Sequence, residues 1–118
     1  MSLSSKSTVG AQGEEHIAQH LIKHGFSILA RNFTIRAGEV DIIAHKDELV
    51  IFVEVKTRSH IYFNTSEVIT RSKQKKIILA AKTFLVRQNF QDKIYRFDVA
   101  LVDTSSSKIT YIPNAFHE

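Results

Sequence analysis

From residue 13 onward the spacing of apolar residues changes several times, and each change marks an element. In GEEHIAQHLIKHG, Ile17, Ala18, Leu21 and Ile22 fall on one face of a helix of about three turns, with Gly25 as its C-terminal stop. FSILARNF is short and apolar, which predicts a strand. GEVDIIA and LVIFVEVKTR predict a second and a third, joined around HKDE as a hairpin. SHIYFNT has no period and reads as a loop. A long helix runs from Ser66 to about Gln88 with Ile77, Ile78, Ala81, Phe84 and Leu85 on one side, and Thr70 is the alternative cap of a shorter version. IYRFDVALV alternates through Phe97, Val99 and Leu101 as another strand, and KITYIP supplies a short last one. The fold class is therefore α/β, in the order αβββαβ with a terminal strand added. Residues 10–118 are expected to form a single domain, and the Ser-rich residues 1–9 a flexible N-terminus.

The parity of the hairpin decides where its charges go. Alternate residues of a strand share a face, so Glu39 lies with Asp41, and Glu54 with Lys56. A loop of two residues (Lys46, Asp47) or four (His45 to Glu48) sets Asp41 opposite Phe52 and Glu39 opposite Glu54, with all four charges on one face. A three-residue loop would turn Asp41 toward Val53 and Val55, where an isolated buried carboxylate is costly. The even loop is expected, and it leaves Val40, Ile42, Ile51, Val53 and Val55 as an apolar face for the core.

Three carboxylates gathered this closely repel until protonation, a cation or solvent relieves them, and Lys56 offsets only one. An oxygen-only set suits Mg²⁺ or Mn²⁺ better than zinc, because the chain has no cysteine and no histidine stands among these charged side chains. Hydrolysis of a nucleic-acid phosphodiester is the chemistry such a set serves, with a nearby lysine positioning water or stabilising phosphoryl oxygens. Charge points the same way: 16 Lys+Arg against 12 Asp+Glu, a formal net charge of +4, favours a polyanionic partner. At 118 residues and 43% hydrophobic, the chain suits one core. Disulfides are excluded, and no apolar run approaches the roughly 18 residues of a membrane span, so a soluble, cytoplasmic protein is expected.

The spacing Asp41, twelve residues, Glu54, one residue, Lys56 resembles the metal motif of the PD-(D/E)XK nuclease superfamily. More widely, GAQGEEHIAQHLIKHGFSILARNF, GEVDIIA, FVEVKTR and ITRSKQKKIILAAKTFL are similar to the YraN family of uncharacterised bacterial proteins, over nearly all of residues 10–116. The resemblance implies a restriction-endonuclease-like, Holliday-junction-resolvase-like αβββαβ core with a mixed sheet flanked by helices. It also implies Asp41 and Glu54 as metal ligands, Lys56 at the water or phosphate, and a glutamate of the first helix joining the site. Glu14 follows Gly13 as in the family pattern, and its direction lies near the mean of the apolar face, whereas Glu15 falls roughly 90° away. A first-turn acid that complements the helix dipole is the alternative role for Glu14. Glu39 is the further supporting carboxylate.

On the second helix, Lys73 and Gln74 lie toward the apolar direction set by Ile77, Ala81 and Leu85, and by the resemblance they border the site. With Arg58, Lys75 and Lys76 they form a basic rim suited to a nucleic-acid backbone, although for Arg71, Lys75 and Lys76 a solvated helical turn serves as well. His16, His20 and His24 have a zinc-compatible spacing but face away from Ile17, Ala18 and Leu21, so a solvated stripe is expected. Asp98 faces away from Phe97 and Val99, in a supporting rather than catalytic role. Phe33, Tyr62 and Phe63 are expected in core or loop packing. SHIYFNT departs from the Gly and Pro that family members more often carry there.

The expected function is Mg²⁺- or Mn²⁺-dependent endonuclease action on DNA, branched or junction DNA included, with RNA compatible and a homodimer supplying two active sites. The alternative is a non-catalytic nucleic-acid-binding module on the same scaffold. Retention of Asp41, Glu54 and Lys56 together favours the enzyme, because a pure binder gains from losing acids that repel phosphate.

Overall fold

The computed structural model describes residues 8–59 and 69–118. Its elements are α1 (Thr8–Lys23), β1 (Ser27–Ile35), β2 (Gly38–Lys46), β3 (Leu49–Arg58), α2 (Arg71–Arg87), β4 (Ile94–Asp103) and β5 (Ile109–Phe116). The strands form one sheet in the order β1-β2-β3-β4-β5. Hairpin-scale turns make the β1–β2, β2–β3 and β4–β5 pairs antiparallel, while the crossover through α2 makes β3 and β4 parallel. This is the α/β architecture expected, a mixed sheet with two helices and an αβββαβ-type core. Among the described residues, no helix is long and apolar enough to cross a membrane.

The helices cover opposite faces of the sheet. On the α2 side, Ile43, Val50, Phe52, Phe97, Val99 and Leu101 pack against Ile77, Ala81, Phe84 and Leu85. On the α1 side, Ile42, Ala44, Ile51, Val53, Ala100 and Val102 pack against Ile17, Ala18 and Leu21. The middle strands are therefore apolar on both faces, as strands between two helical layers must be. The expected division of the hairpin into a core face and a charged face is corrected accordingly. Ile43 and Phe52 share the face of Asp41 and Glu54, and the charges are confined to its end.

The hairpin turn has even length, as expected, but it consists of Asp47 and Glu48, because Lys46 pairs with Leu49. Asp47 takes the left-handed φ of 54° that the turn demands, a conformation Asp tolerates better than most residues. The register moves by two residues, which preserves the face of every side chain and sets Asp41 toward Glu54 rather than Phe52. Val40 joins the α2-side cluster instead of lying with Ile42. Its strict alternation fails because β2 leaves β3 beyond the Ile42–Val53 pair while staying paired with β1 as far as Gly38.

Other boundaries shift for local reasons. Helix α1 begins at Thr8, inside the segment expected to lie outside the domain; TVGAQG has no apolar period and two glycines, so only packing reveals it as helix. Ile22 is exposed on the far side of α1. The helix ends as expected at Gly25, whose φ of 91° lets Phe26 N–H reach Leu21 O and Gly25 N–H reach Ile22 O. Thr70 caps α2 by accepting from Lys73 N–H, so the shorter version of that helix is the one formed. Strand β5 continues past KITYIP to Phe116, and its Pro113 is tolerated at the edge of the sheet. Tyr62, Phe63 and the proposed helix start at Ser66 lie outside the described residues. Phe33 packs edge-on to Phe84, with ring centroids 5.2 Å apart, in the core role expected.

Gly13 sets how closely α1 approaches β3, since a Cβ there would lie 2.1 Å from Thr57 Cγ2. Gly13→Ala should destabilise the domain by about 1–3 kcal/mol, the usual cost of overpacking. Thr57→Ser removes the opposing methyl, so the double variant should recover most of that loss in urea unfolding. Equal losses with and without Thr57→Ser would place the cost elsewhere.

Candidate active site

Asp41 occupies the point where β2 and β3 separate. The last paired residues are Ile42 and Val53, and just beyond them Asp41 Oδ2 accepts a hydrogen bond from Val55 N–H at 2.8 Å. A side chain thus satisfies a strand amide that the departing backbone no longer reaches. Glu54 follows Val53 on β3 and points to the same side as Asp41. Both carboxylates are only 5% exposed.

Two lysines from different elements meet Glu54. Lys56 Nζ, two residues along β3 and so on the same face, is 3.6 Å from Glu54 Oε2, and Lys73 Nζ, from the first turn of α2, is 3.4 Å from the same oxygen. Their attraction does not prevail. Burial pushes the Glu54 carboxyl up to about 7, and the neighbouring Asp41 carboxylate, which shares a hydrogen bond with it, adds to the shift; Lys73 and Lys56 only partly offset it. Near neutral pH the Glu54 carboxyl is therefore partly protonated, and a bound cation would take the place of that proton.

The remaining expected residues divide sharply. Glu14 is buried on the α1 turn that lies over Thr57. Glu39 is half-buried and lines a cleft of about 330 Å³ with Lys73, Lys76, Thr34, Arg36 and Gly38. Gly38 is required at the floor of this cleft, because a Cβ would lie 2.3 Å from the Lys76 carbonyl oxygen. Gln74 braces the start of α2 instead of facing the acids, since its amide donates to Ile69 O at 3.1 Å and accepts from Arg71 at 2.9 Å. Lys75 is exposed and lies outside the cleft wall, and Arg58 is exposed at the end of β3, donating to Thr57 O. Among the described residues, no three His, Asp or Glu side chains come together as a metal cluster. The acids gathered tightly are Asp41 and Glu54.

Arg36 is the functional candidate that sequence reasoning missed. It sits in the β1–β2 turn, and only the pairing of Ile35 with Gly38 brings it beside the first turn of α2. The available signal was a basic residue in a tight turn immediately before GEVD. Asp98 is fully buried and holds Arg96 Nε at 2.9 Å, Tyr111 Oη at 2.5 Å and Asn114 N–H at 2.9 Å, the supporting role expected of it. Burial, followed by the Asp98 charge, raises the Tyr111 hydroxyl well above its ordinary range. Of the histidine stripe, His16 and His24 are exposed, whereas His20 is half-buried with its ring stacked 6.1 Å from that of Tyr111.

These features define an α/β domain in which a forked sheet presents a buried acid pair, two lysines and a basic cleft. The chain belongs to the family described as Uncharacterised protein family UPF0102, the YraN family, which it matches over residues 13–102. The UPF0102 protein of Geobacter metallireducens is 41% identical over 98% of this chain and 97% of its own length. That of Caldanaerobacter subterraneus subsp. tengcongensis is 40% identical over 95% of this chain and 97% of its own, and that of Vibrio parahaemolyticus 38% identical over 100% and 99%.

The raised Glu54 carboxyl has a consequence for stability. Its folded value of about 7 exceeds the ordinary 4.5, so its contribution is fully present below about 4.5 and is lost as pH rises through about 7. Glu54→Gln removes this titration. In urea unfolding with EDTA, the stability of Glu54→Gln relative to wild type should rise by on the order of 2–3 kcal/mol between pH 4.5 and pH 8. A difference that does not vary with pH would contradict the raised Glu54 carboxyl.

Proposed function

We propose that this protein is a divalent-metal-dependent nuclease that hydrolyses DNA phosphodiester bonds. The observation that carries the reading is the Asp41–Glu54 pair, buried and hydrogen-bonded, with Lys56 and Lys73 both on Glu54. Two neighbouring acids in a desolvated place cost stability, and perturbed groups of this kind concentrate at functional sites. The donors are all oxygen and mutually repelling, which fits Mg²⁺ or Mn²⁺; Mg²⁺ is commonly held by one or two carboxylates, with water and substrate phosphate completing its shell. Asp41 and Glu54 would hold the ion, with Glu14 and Glu39 as supporting carboxylates. The bound ion supplies Lewis acidity toward the scissile phosphate and offsets the acid pair.

The other residues act on the substrate. Lys56, fixed on β3, is suited to orienting the attacking water or a phosphoryl oxygen, and Lys73 to exchanging Glu54 for a phosphate as the strand enters. Arg36 and Lys76 would hold the neighbouring phosphodiesters in the cleft, contacts that position the backbone without reading sequence. Branched or junction DNA is the substrate that the nuclease resemblance suggests. Cutting it on two strands requires two sites and hence a homodimer, acting in the cytoplasm where DNA and Mg²⁺ are at hand. One observation favours the second reading, a nucleic-acid-binding module that does not cut: among the described residues, no three His, Asp or Glu side chains come together as a metal cluster.

Linear duplex, single-stranded and four-way DNA incubated with Mg²⁺ or Mn²⁺ separate the two. The nuclease reading expects cleavage by wild type and none by Asp41→Ala or Glu54→Ala. Binding by all three proteins without cleavage by any would leave the binding module. Binding titrations across a salt series test the cleft: Arg36→Ala and Lys76→Ala should each lower the slope of log K against log [salt] by about 0.9, the effect of one lost phosphate contact.

A further inference from the structure

A second cavity, of about 210 Å³, opens between the C-terminal half of α1 and strands β4 and β5. Leu21, Phe26 and Pro113 form its apolar walls, the stacked rings of His20 and Tyr111 form an aromatic side, and the Arg96 guanidinium completes it. Nothing in the proposed hydrolysis uses these groups.

Their chemistry selects a narrow class of ligand. Arg96 is matched by the buried Asp98 through its Nε, so the cavity wall carries little uncompensated charge, while the guanidinium still offers N–H donors. Burial, with positive charge on the neighbouring His24, His16 and Lys23 acting in the same direction, lowers the His20 pKa and so favours the neutral ring. The cavity lies at the C-terminus of α1, where the helix dipole disfavours an anion. A neutral planar ring with hydrogen-bond acceptors meets all three conditions. Immediately beside it a cation closes the cavity rim: Lys46 Nζ donates to His24 O at 3.0 Å and lies 5.8 Å from the centroid of the Phe26 ring.

We propose that this cavity binds one unpaired nucleobase of a DNA strand, stacked on the His20 and Tyr111 rings with its acceptors toward Arg96. The inference rests on the nucleic-acid reading above and deepens it. The substrate is a strand with at least one base out of the duplex, as branched DNA provides. Stacking on an aromatic face is sequence-tolerant, so the site selects for unpaired structure.

The test uses the full chain in EDTA, with an oligonucleotide carrying 2-aminopurine at one unpaired position, a fully paired duplex and a free nucleoside monophosphate. Wild type should bind the unpaired strand and quench the 2-aminopurine. His20→Ala should bind that strand about tenfold more weakly, the order of one lost stacked base, without quenching and with duplex affinity unchanged. His20→Phe should restore both signals. Pro113→Trp, at the exposed edge, should fill the cavity and give the same selective loss independently of α1.

Strand binding and quenching that survive both His20→Ala and Pro113→Trp would overturn the proposal, as would an equal loss on duplex. A free nucleotide bound as tightly as the strand would make this a small-molecule site and overturn it too. If wild type binds duplex and strand alike without quenching, the pocket alone fails; if it binds neither, the nucleic-acid reading fails with it.

Discussion

The Asp41 carboxylate accepting the Val55 N–H is the contact on which the site depends. Up to Ile42 and Val53 the hairpin is an ordinary ladder; beyond them β2 follows β1, and a carboxylate takes over the bond to β3. Without that replacement, a partly buried backbone donor would lose its protein partner where the sheet opens. With it, Asp41 is anchored against the residue that follows Glu54. The opening of the sheet and the pairing of the acids are one structural event.

The cost of that arrangement is borne by the core around it. Ile43, Val50 and Phe52 on one face and Ile42, Ile51 and Val53 on the other are almost wholly buried, so β2 and β3 are packed on both faces up to the fork. Charges appear only where the apolar packing ends. Lys56 arrives along β3 and Lys73 from the capped start of α2, so Glu54 is a junction between sheet and helix. Neither lysine lowers the Glu54 carboxyl to its ordinary range, because burial and Asp41 outweigh them. A domain optimised only for stability would not keep this pair, which is why the acids speak for function more strongly than the net charge does.

Much of this was legible in sequence. The helical period of Ile17, Ala18 and Leu21, the stop at Gly25, the alternation through Phe97, Val99 and Leu101, and the order of elements follow from local spacing and turn chemistry. The even parity of the HKDE turn was also derivable, because the wrong parity would have sent Asp41 into the α1-side core. Less was visible at Gln74, whose spacing suits the site but whose amide is consumed by Ile69 and Arg71, and at Arg36, whose neighbours come from a helix far along the chain. The start of α1 was hidden too, since TVGAQG carries no apolar period and its helix is fitted to β3 through Gly13.

By itself, then, the sequence determined the order of helices and strands, the face of the hairpin side chains other than Val40, and that Asp41, Glu54 and Lys56 belong together. These are properties of period and parity, which neighbouring residues impose on one another. Tertiary structure alone decided the two-residue register shift, the exit of β2 from β3, the reach of Lys73 to Glu54 and the basic cleft with Arg36 and Lys76. It also decided that the hairpin has two core faces instead of one, because a strand's own alternation cannot reveal how many helical layers will cover the sheet.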